Sequence, residues 1–366
     1  MKTQTESFGS PSPPQGLATA SVDEFSEALQ AFDLEIVPTG PASGLWELQR
    51  CVVPEMTIHH GCFGAPSVVL GAAQPAHLEF VLPWVLNAPI RYRGSDMTGR
   101  LGLYGPGTSH EAHCDSPQGF TVISIGCDAF AEQLAPLEPQ DIELPGSGHF
   151  VAPSCDAAIE RELRDAVLAL LDQWRHPPAR EGPVLEHRTR TMTRRVLNVL
   201  LQVMADTHEA TGPDTRNLSS GGRVLARIRE HLHQEPDQLP ELEDLCRIGQ
   251  TGLRNLQLIF RRHLGITPNR FLRYRRLHHA RRLLETRSVP SVKAAALDSG
   301  FRELGRFAVE YRKCFGEAPS VTLYHASPNR ALESARRRQH GQEIHSFSRL
   351  HARNAEDDPP HARSAL

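Results

Sequence analysis

Two nine-residue stretches, FRRHLGITP at 260–268 and YRKCFGEAP at 311–319, start 51 residues apart and follow one pattern. Each reads aromatic, two basic residues, two further positions, Gly, two residues, Pro. Each also closes an amphipathic helical period. In LRNLQLIFRRHLG, Leu253, Leu256, Phe260 and Leu264 fall on one side of a 3.6-residue wheel, with Arg254, Gln257, Leu258 and Arg261 opposite. Within the second stretch, Leu304, Phe307, Ala308, Tyr311 and Phe315 form the apolar side, and Arg302, Arg306, Val309 and Lys313 form a cationic ridge. Each helix follows a short helix and a tight turn, the helix-turn-helix arrangement. A single helix of this kind is explained by a solvated basic face. Two copies separated by one long helix are not.

The duplicated unit lies in the basic part of the chain. Residues 219–322 carry 19 Lys+Arg against 11 Asp+Glu, a surplus of 8, so with a net charge of −3 the remainder is at −11. A basic domain joined to an acidic one points toward nucleic acid. At 366 residues there is room for two domains, and 39% hydrophobic with 23% charged residues is an ordinary globular composition. No apolar run reaches the length of a membrane span, and MKTQTESFGSPSPPQG lacks the apolar core of a secretory signal, so a cytoplasmic protein is expected. The seven cysteines (51, 62, 114, 127, 155, 246, 314) are dispersed without CxxC pairs, which predicts reduced thiols.

Along the chain, 1–20 and 326–366 are polar and predicted to be disordered. Within 21–206, the runs 56–63, 77–84, 100–107 and 119–126 read as short strands between turn residues, predicting an antiparallel sandwich or barrel. Two amphipathic helices follow. Ile159, Leu163, Val167, Leu170 and Trp174 mark the first, and Met192, Val196, Val199 and Val203, widened by Leu197, Leu200, Leu201 and Met204, the second. Their broad stripes predict packing within the chain, with a dimer interface as a second use. Residues 207–221 read as a linker, and 222–325 as all helical. There Thr267 and Pro268 should start a helix running to Glu285, Ser291 should cap the next, and Gly300 suits a left-handed exit.

The segments LEDLC (242–246), LRNLQLIFRRHLGITPNRFLRYRRLHHARRLL (253–284) and SGFRELGRFAVEYRKCFGEAPS (299–320) resemble the DNA-binding domain of the AraC/XylS transcription regulators. The resemblance spans 222–325. It implies seven helices in two helix-turn-helix subdomains, whose recognition helices enter successive major grooves of double-stranded DNA, ~34 Å apart. Carried over residue by residue, Arg254, Asn255, Gln257 and Leu258 face bases in the first reader. Arg302, Glu303, Gly305, Arg306 and Val309 lie at or near the bases in the second. Arg261, Arg262, Arg312 and Lys313 would meet phosphates. The sequence departs from the family at Gln250, where Gly is common, at Gly252, where a capping Ser is common, and at Leu258, where a basic residue is frequent. The closing LGRFAVEYRKCFGEAPSVTL is also similar to the ethanolamine-operon regulators of the family.

The N-terminal half is similar in plan to the cupin-like sandwich with a helical dimer element that many such regulators carry. The resemblance therefore implies a homodimeric transcription regulator with a small-molecule effector. RNA polymerase is a further partner if the protein is an activator, and no membrane is involved. Trp84, Tyr104, His110 and Phe120 are candidate pocket residues. GPGTSHEAHC (105–114) offers His110, His113 and Cys114, with His59 or His60, as conceivable metal ligands. The HxH-plus-Glu set of a cupin metal site is missing, so the stretch reads as a polar loop at a strand end, and no metal or cofactor is expected. Two competing functions are a cupin-type metal enzyme and a partner-binding adaptor, each with a DNA-binding appendage. With no nucleophile triad, phosphate loop or paired-carboxylate site in the sequence, an enzyme is not expected.

Overall fold

HLEFVLPW and GFTVISIG are apolar at nearly every position, which suits strands covered on both faces. A computed structural model describes residues 12–19, 21–84, 89–134, 144–175, 183–206 and 220–326. The N-terminal half opens with β1 (Ser12–Thr19), α1 (Val22–Ala28), β2 (Phe32–Pro38), β3 (Trp46–Val53), β4 (Met56–Cys62), β5 (Ser67–Ala73) and β6 (His77–Trp84). It continues through β7 (Arg91–Tyr92), β8 (Ser95–Asp96), β9 (Gly102–Tyr104), β10 (Ser109–Cys114), β11 (Gly119–Gly126), α2 (Cys127–Leu134) and β12 (Phe150–Val151). Two long helices, α3 (Ala157–Arg175) and α4 (Pro183–Asp206), end it.

The strands form two antiparallel sheets, in the orders β1-β3-β4-β11-β6-β9-β12 and β2-β5-β10-β7-β8. Side-chain alternation assigns each residue to a layer. Leu78, Phe80, Leu82 and Trp84 of β6, with Ile123 and Ile125 of β11, face α3 and α4. Val81, Phe120 and Val122 face the second sheet. The α3–α4 stripe, including Leu163, Val167, Leu170, Val196, Val199 and Val203, is buried on the seven-stranded sheet. It is thereby spent within the chain.

The C-terminal half contains α5 (Ser220–Gln234), α6 (Leu242–Gly249), α7 (Leu253–Leu264), α8 (Pro268–Glu285), α9 (Val292–Asp298), α10 (Leu304–Phe315) and α11 (Pro319–His325). Here α6–α7 is the first helix-turn-helix, α9–α10 is the second, and α8 joins them. The first packs on the outer face of the five-stranded sheet, where Val37, Val68 and Leu70 share one core with Val224, Ile228, Leu256 and Phe260. The second has its own core of Leu277, Leu284, Ala295, Phe307 and Tyr311. Burying a side chain of this size contributes about 1.5–3 kcal/mol.

Three expectations need correction. Residues 12–19 are not disordered: β1 pairs with β3 as an edge strand, where Pro13 and Pro14 are tolerated beside a register shift. Residues 1–11 and 327–366 lie outside the described residues. Helix α5 takes Ser220 and Gly221 from the expected 207–221 linker, and 207–219 also lie outside them. GPGTSHEAHC is a loop only over 105–108; Ser109–Cys114 is a strand between β5 and β7 and is buried throughout.

Candidate nucleic-acid interface

Each unit is built from local signals. In the first, the Glu241 backbone N–H donates to Asp244 Oδ2 at 3.0 Å, and the Glu241 side chain accepts from the third-position backbone in return, starting α6. The turn then passes through Gln250 at φ 51° and ψ 49°. In the second, Ser291 Oγ accepts from the Ala294 N–H at 3.2 Å to start α9, and Gly300 at φ 79° follows it. Helices α7 and α10 both exit through a left-handed Gly, Gly265 and Gly316, into a helix opened by proline. Thr267 Oγ1 accepts from the Arg270 N–H at 3.3 Å, as its capping role predicts.

Helices α7 and α10, the candidate readers, turn their basic rows outward. Arg254, Asn255, Arg261 and Arg262 of the first are exposed, as are Arg302, Glu303, Gly305, Arg306, Arg312 and Lys313 at the second. Gln257 is half-buried. Leu258 is 58% and Val309 55% exposed, so each helix presents one large apolar side chain among its outward cations. Gly305 leaves open space where a Cβ would stand. Leu253 and Leu304, expected on the apolar sides, are exposed instead. Each is the first residue of its helix and projects beyond the core that the next turn reaches.

The readers differ in how their side chains are held. Arg254 makes no hydrogen bond or ion pair among the described residues. Asn255 Nδ2 donates to Thr251 Oγ1 at 2.7 Å. In the second reader, Arg306 Nε donates to Glu310 Oε1 at 3.0 Å, and Arg273 of α8 donates to the same oxygen at 2.6 Å.

Three arginines in the middle of α8 reach three parts of the molecule. Arg273 binds Glu310 of the second reader; Arg276 binds Glu241 at the cap of α6, at 2.6 Å; and Arg275 binds Glu35 of β2, also at 2.6 Å. Burial pushes the Glu35 carboxyl up and the Arg275 guanidinium down, each partly offset by the other's charge. Arg229 pairs with Asp33, and His278 Nε2 lies 2.9 Å from the Pro38 carbonyl. Burial lowers His278 to about 4, so the neutral ring donates that bond. Beside these contacts is a cleft of about 630 Å³ between β2, α1 and the α8–α10 pair, lined by Ile36, Trp46, Arg275, His278, Arg281 and Phe315 among others.

The candidate pocket residues do not meet in one place. Tyr104 OH and His110 Nδ1 are 2.9 Å apart, and they share the core between the sheets with Phe120. Trp84 faces the other way, under the Arg164 guanidinium of α3. Strand parity sets His113 apart from His110 and Cys114 among the conceivable metal ligands. His110 points between the sheets, and burial lowers it to about 3. His113 points outward, against Gly265 after α7. Among the described residues no three His, Cys, Asp or Glu side chains are grouped to hold a metal.

A protein-family model described as a helix-turn-helix domain matches residues 245–324. A XylDLEGF operon transcriptional activator 2 of Pseudomonas putida is 31% identical over 142 residues, 38% of this chain and 85% of that protein. A second XylDLEGF operon transcriptional activator of that organism is 37% identical over 107 residues, 29% of this chain. The chain spans only 33% of that relative's length. A solved structure of a probable AraC family transcriptional regulator from Rhodopseudomonas palustris is 36% identical, covering 29% of this chain and 98% of that one, with a TM-score of 0.26.

Proposed function

Because the chain belongs to the AraC/XylS family of DNA-binding transcription regulators, we propose that α7 and α10 both read base edges, in successive major grooves on one DNA face. The observation that carries this reading is the pair of outward rows on α7 and α10, each mixing cations with a large exposed apolar side chain. Arg254 and Arg306 would meet guanine, Asn255 and Gln257 adenine, and Leu258 and Val309 thymine methyls. Arg302 and Glu303 flank the second base-facing row, and Gly305 lets the backbone come close. Arg261, Arg262, Arg312 and Lys313 would hold phosphates. Selection from a random duplex pool by the purified chain tests this. Two enriched blocks about 10 bp apart are expected, and a single block would remove one helix from the reading set.

The second part of the proposal is control by a small effector. A molecule in the cleft between β2 and the α8–α10 pair would touch sensor and DNA-binding domain together. It would bias their docking, with a coupling of ~1–3 kcal/mol in ordinary allostery. The alternative site at Tyr104, His110 and Phe120 would require opening a packed aromatic core. The working state is proposed to be a homodimer. With the α3–α4 stripe spent on the sheet, its contact falls on the exposed side of α4 at Arg194, Asn198 and Gln202. If the protein activates, RNA polymerase completes the set of partners.

A further inference from the structure

We propose that Glu310 is a positioning residue for base recognition. It orients the Arg306 guanidinium so that the two terminal nitrogens, and not Nε, face the DNA. This rests on the reading above in which Arg306 meets a base edge.

Glu310 lies one helical turn after Arg306 on α10, and its Oε1 accepts from both Arg306 Nε and Arg273 Nη1. The other carboxylate oxygen, Oε2, is buried and has no partner among the described residues. The Glu310 side chain is 20% exposed against 59% for Arg306, so the acid lies at the root of the ridge and the arginine at its crest. A guanidinium can meet guanine O6 and N7 end-on through both Nη atoms, or side-on through Nε and one Nη. With the Nε–H committed to Glu310, the side-on mode is closed. Neither Nη atom of Arg306 is bonded among the described residues, so the end-on fork is available. Restricting the side chain before DNA arrives also removes part of the ordering cost of binding.

An ordinary surface pair four residues apart on a helix is the plainer explanation. Two observations speak against it. Glu310 is tied by Arg273 to a second helix, and it places a carboxylate on a DNA-facing helix, where a negative charge opposes phosphate attraction. The first reader has no such device. Fifty-one residues earlier, Asn255 stands at the position of Arg306, and buried Ile259 at that of Glu310.

The test uses the full-length chain and the selected duplex, with three further duplexes changed only at the base pair that Arg306→Ala makes indifferent. Arg306→Ala should lose discrimination there on the order of tenfold. Glu310→Ala should lose discrimination several-fold at the same base pair. The double variant should lose no more than Arg306→Ala alone. Glu310→Gln, which can still accept the Nε–H, should recover part of the loss. Both Glu310 variants delete a negative charge, so both should bind an unrelated duplex at least as tightly as the unaltered chain. Firmer grip with poorer choice is not what a folding lesion produces, and alanine favours the helix. If Glu310→Ala keeps full discrimination while Arg306→Ala loses it, the positioning role is overturned and the reading of Arg306 stands. If Arg306→Ala leaves every base pair discriminated, the base-reading assignment itself fails, and the proposal with it.

Discussion

The two helix-turn-helix units share a plan and differ in what surrounds them. The first rests on the N-terminal half, the proposed sensor. Its core is continuous with Val37, Val68 and Leu70 of the five-stranded sheet, and the Gly94 turn lies against the Arg262 carbonyl at the end of its reader. The second closes a core of its own and meets the sensor mainly at the end of β2, through Pro38 and Pro41. Its Arg306 is held by Glu310, whereas Arg254 of the first has no hydrogen bond or ion pair among the described residues. If both helices read bases as proposed, the N-terminal half sets where α7 stands and the Glu310 contact gives α10 the sharper base choice.

The largest expected effect comes from separating the first unit from the sensor. Gly94 has φ 84°, and a Cβ there would clash with the Arg262 carbonyl oxygen. Gly94→Ala should cost about 2–4 kcal/mol of docking, from strain and overpacking together. Denaturant unfolding of the full chain should then split into two transitions, while base choice at the Arg306 position persists. A single unshifted transition would mean that the turn is not a docking contact.

Next comes the contrast between the readers. Arg306→Ala should weaken binding to the selected site by ~1–3 kcal/mol and relax one base pair. Arg254→Ala, which removes an arginine with no partner among the described residues, should cost less. Equal losses in a binding titration would erase the distinction between the two helices.

The turns give a smaller, opposed pair. Gln250 holds a left-handed conformation that L side chains enter at a cost of roughly 1–2 kcal/mol, and Gly300 holds the corresponding turn without one. Gln250→Gly should therefore stabilise the protein and Gly300→Ala destabilise it, each by about 1 kcal/mol in a thermal melt. The same sign for both would show that the turns are not equivalent.

The least selective change is at the helix ends. Arg312→Ala or Lys313→Ala should weaken binding to every duplex alike and lower the salt slope by ~1. A loss confined to one sequence would move that residue into the base-reading set.

Legibility in the sequence tracked how local the cause was. Helix α8 runs from Pro268 to Glu285 as read, because Thr267, Pro268 and the apolar period all lie inside it. The helix-turn-helix pair was legible for the same reason, since caps, left-handed exits and outward cations are local properties. Strand β10 was not legible. His110 and His113 look like loop polarity until the neighbouring layers are known, and one of those layers is a reader helix more than 140 residues away in sequence. Trp84 was grouped with Tyr104, His110 and Phe120 because composition carries no strand parity, and parity decides which face each serves. Residues 12–19 carry no strand signal of their own and take their form from β3.

The middle of α8 ties three parts of the molecule together. Within a single turn, Arg273 ends on the acid that holds Arg306, Arg275 on the sensor, and Arg276 on the cap of α6. A shaft with three bearings so close together cannot shift at one without loading the others. Equilibrium linkage then runs in both directions. If a molecule in the adjoining cleft alters the preference for a base, a duplex carrying the preferred base must alter the hold on that molecule by the same factor. The DNA sequence then acts as an effector of the sensor.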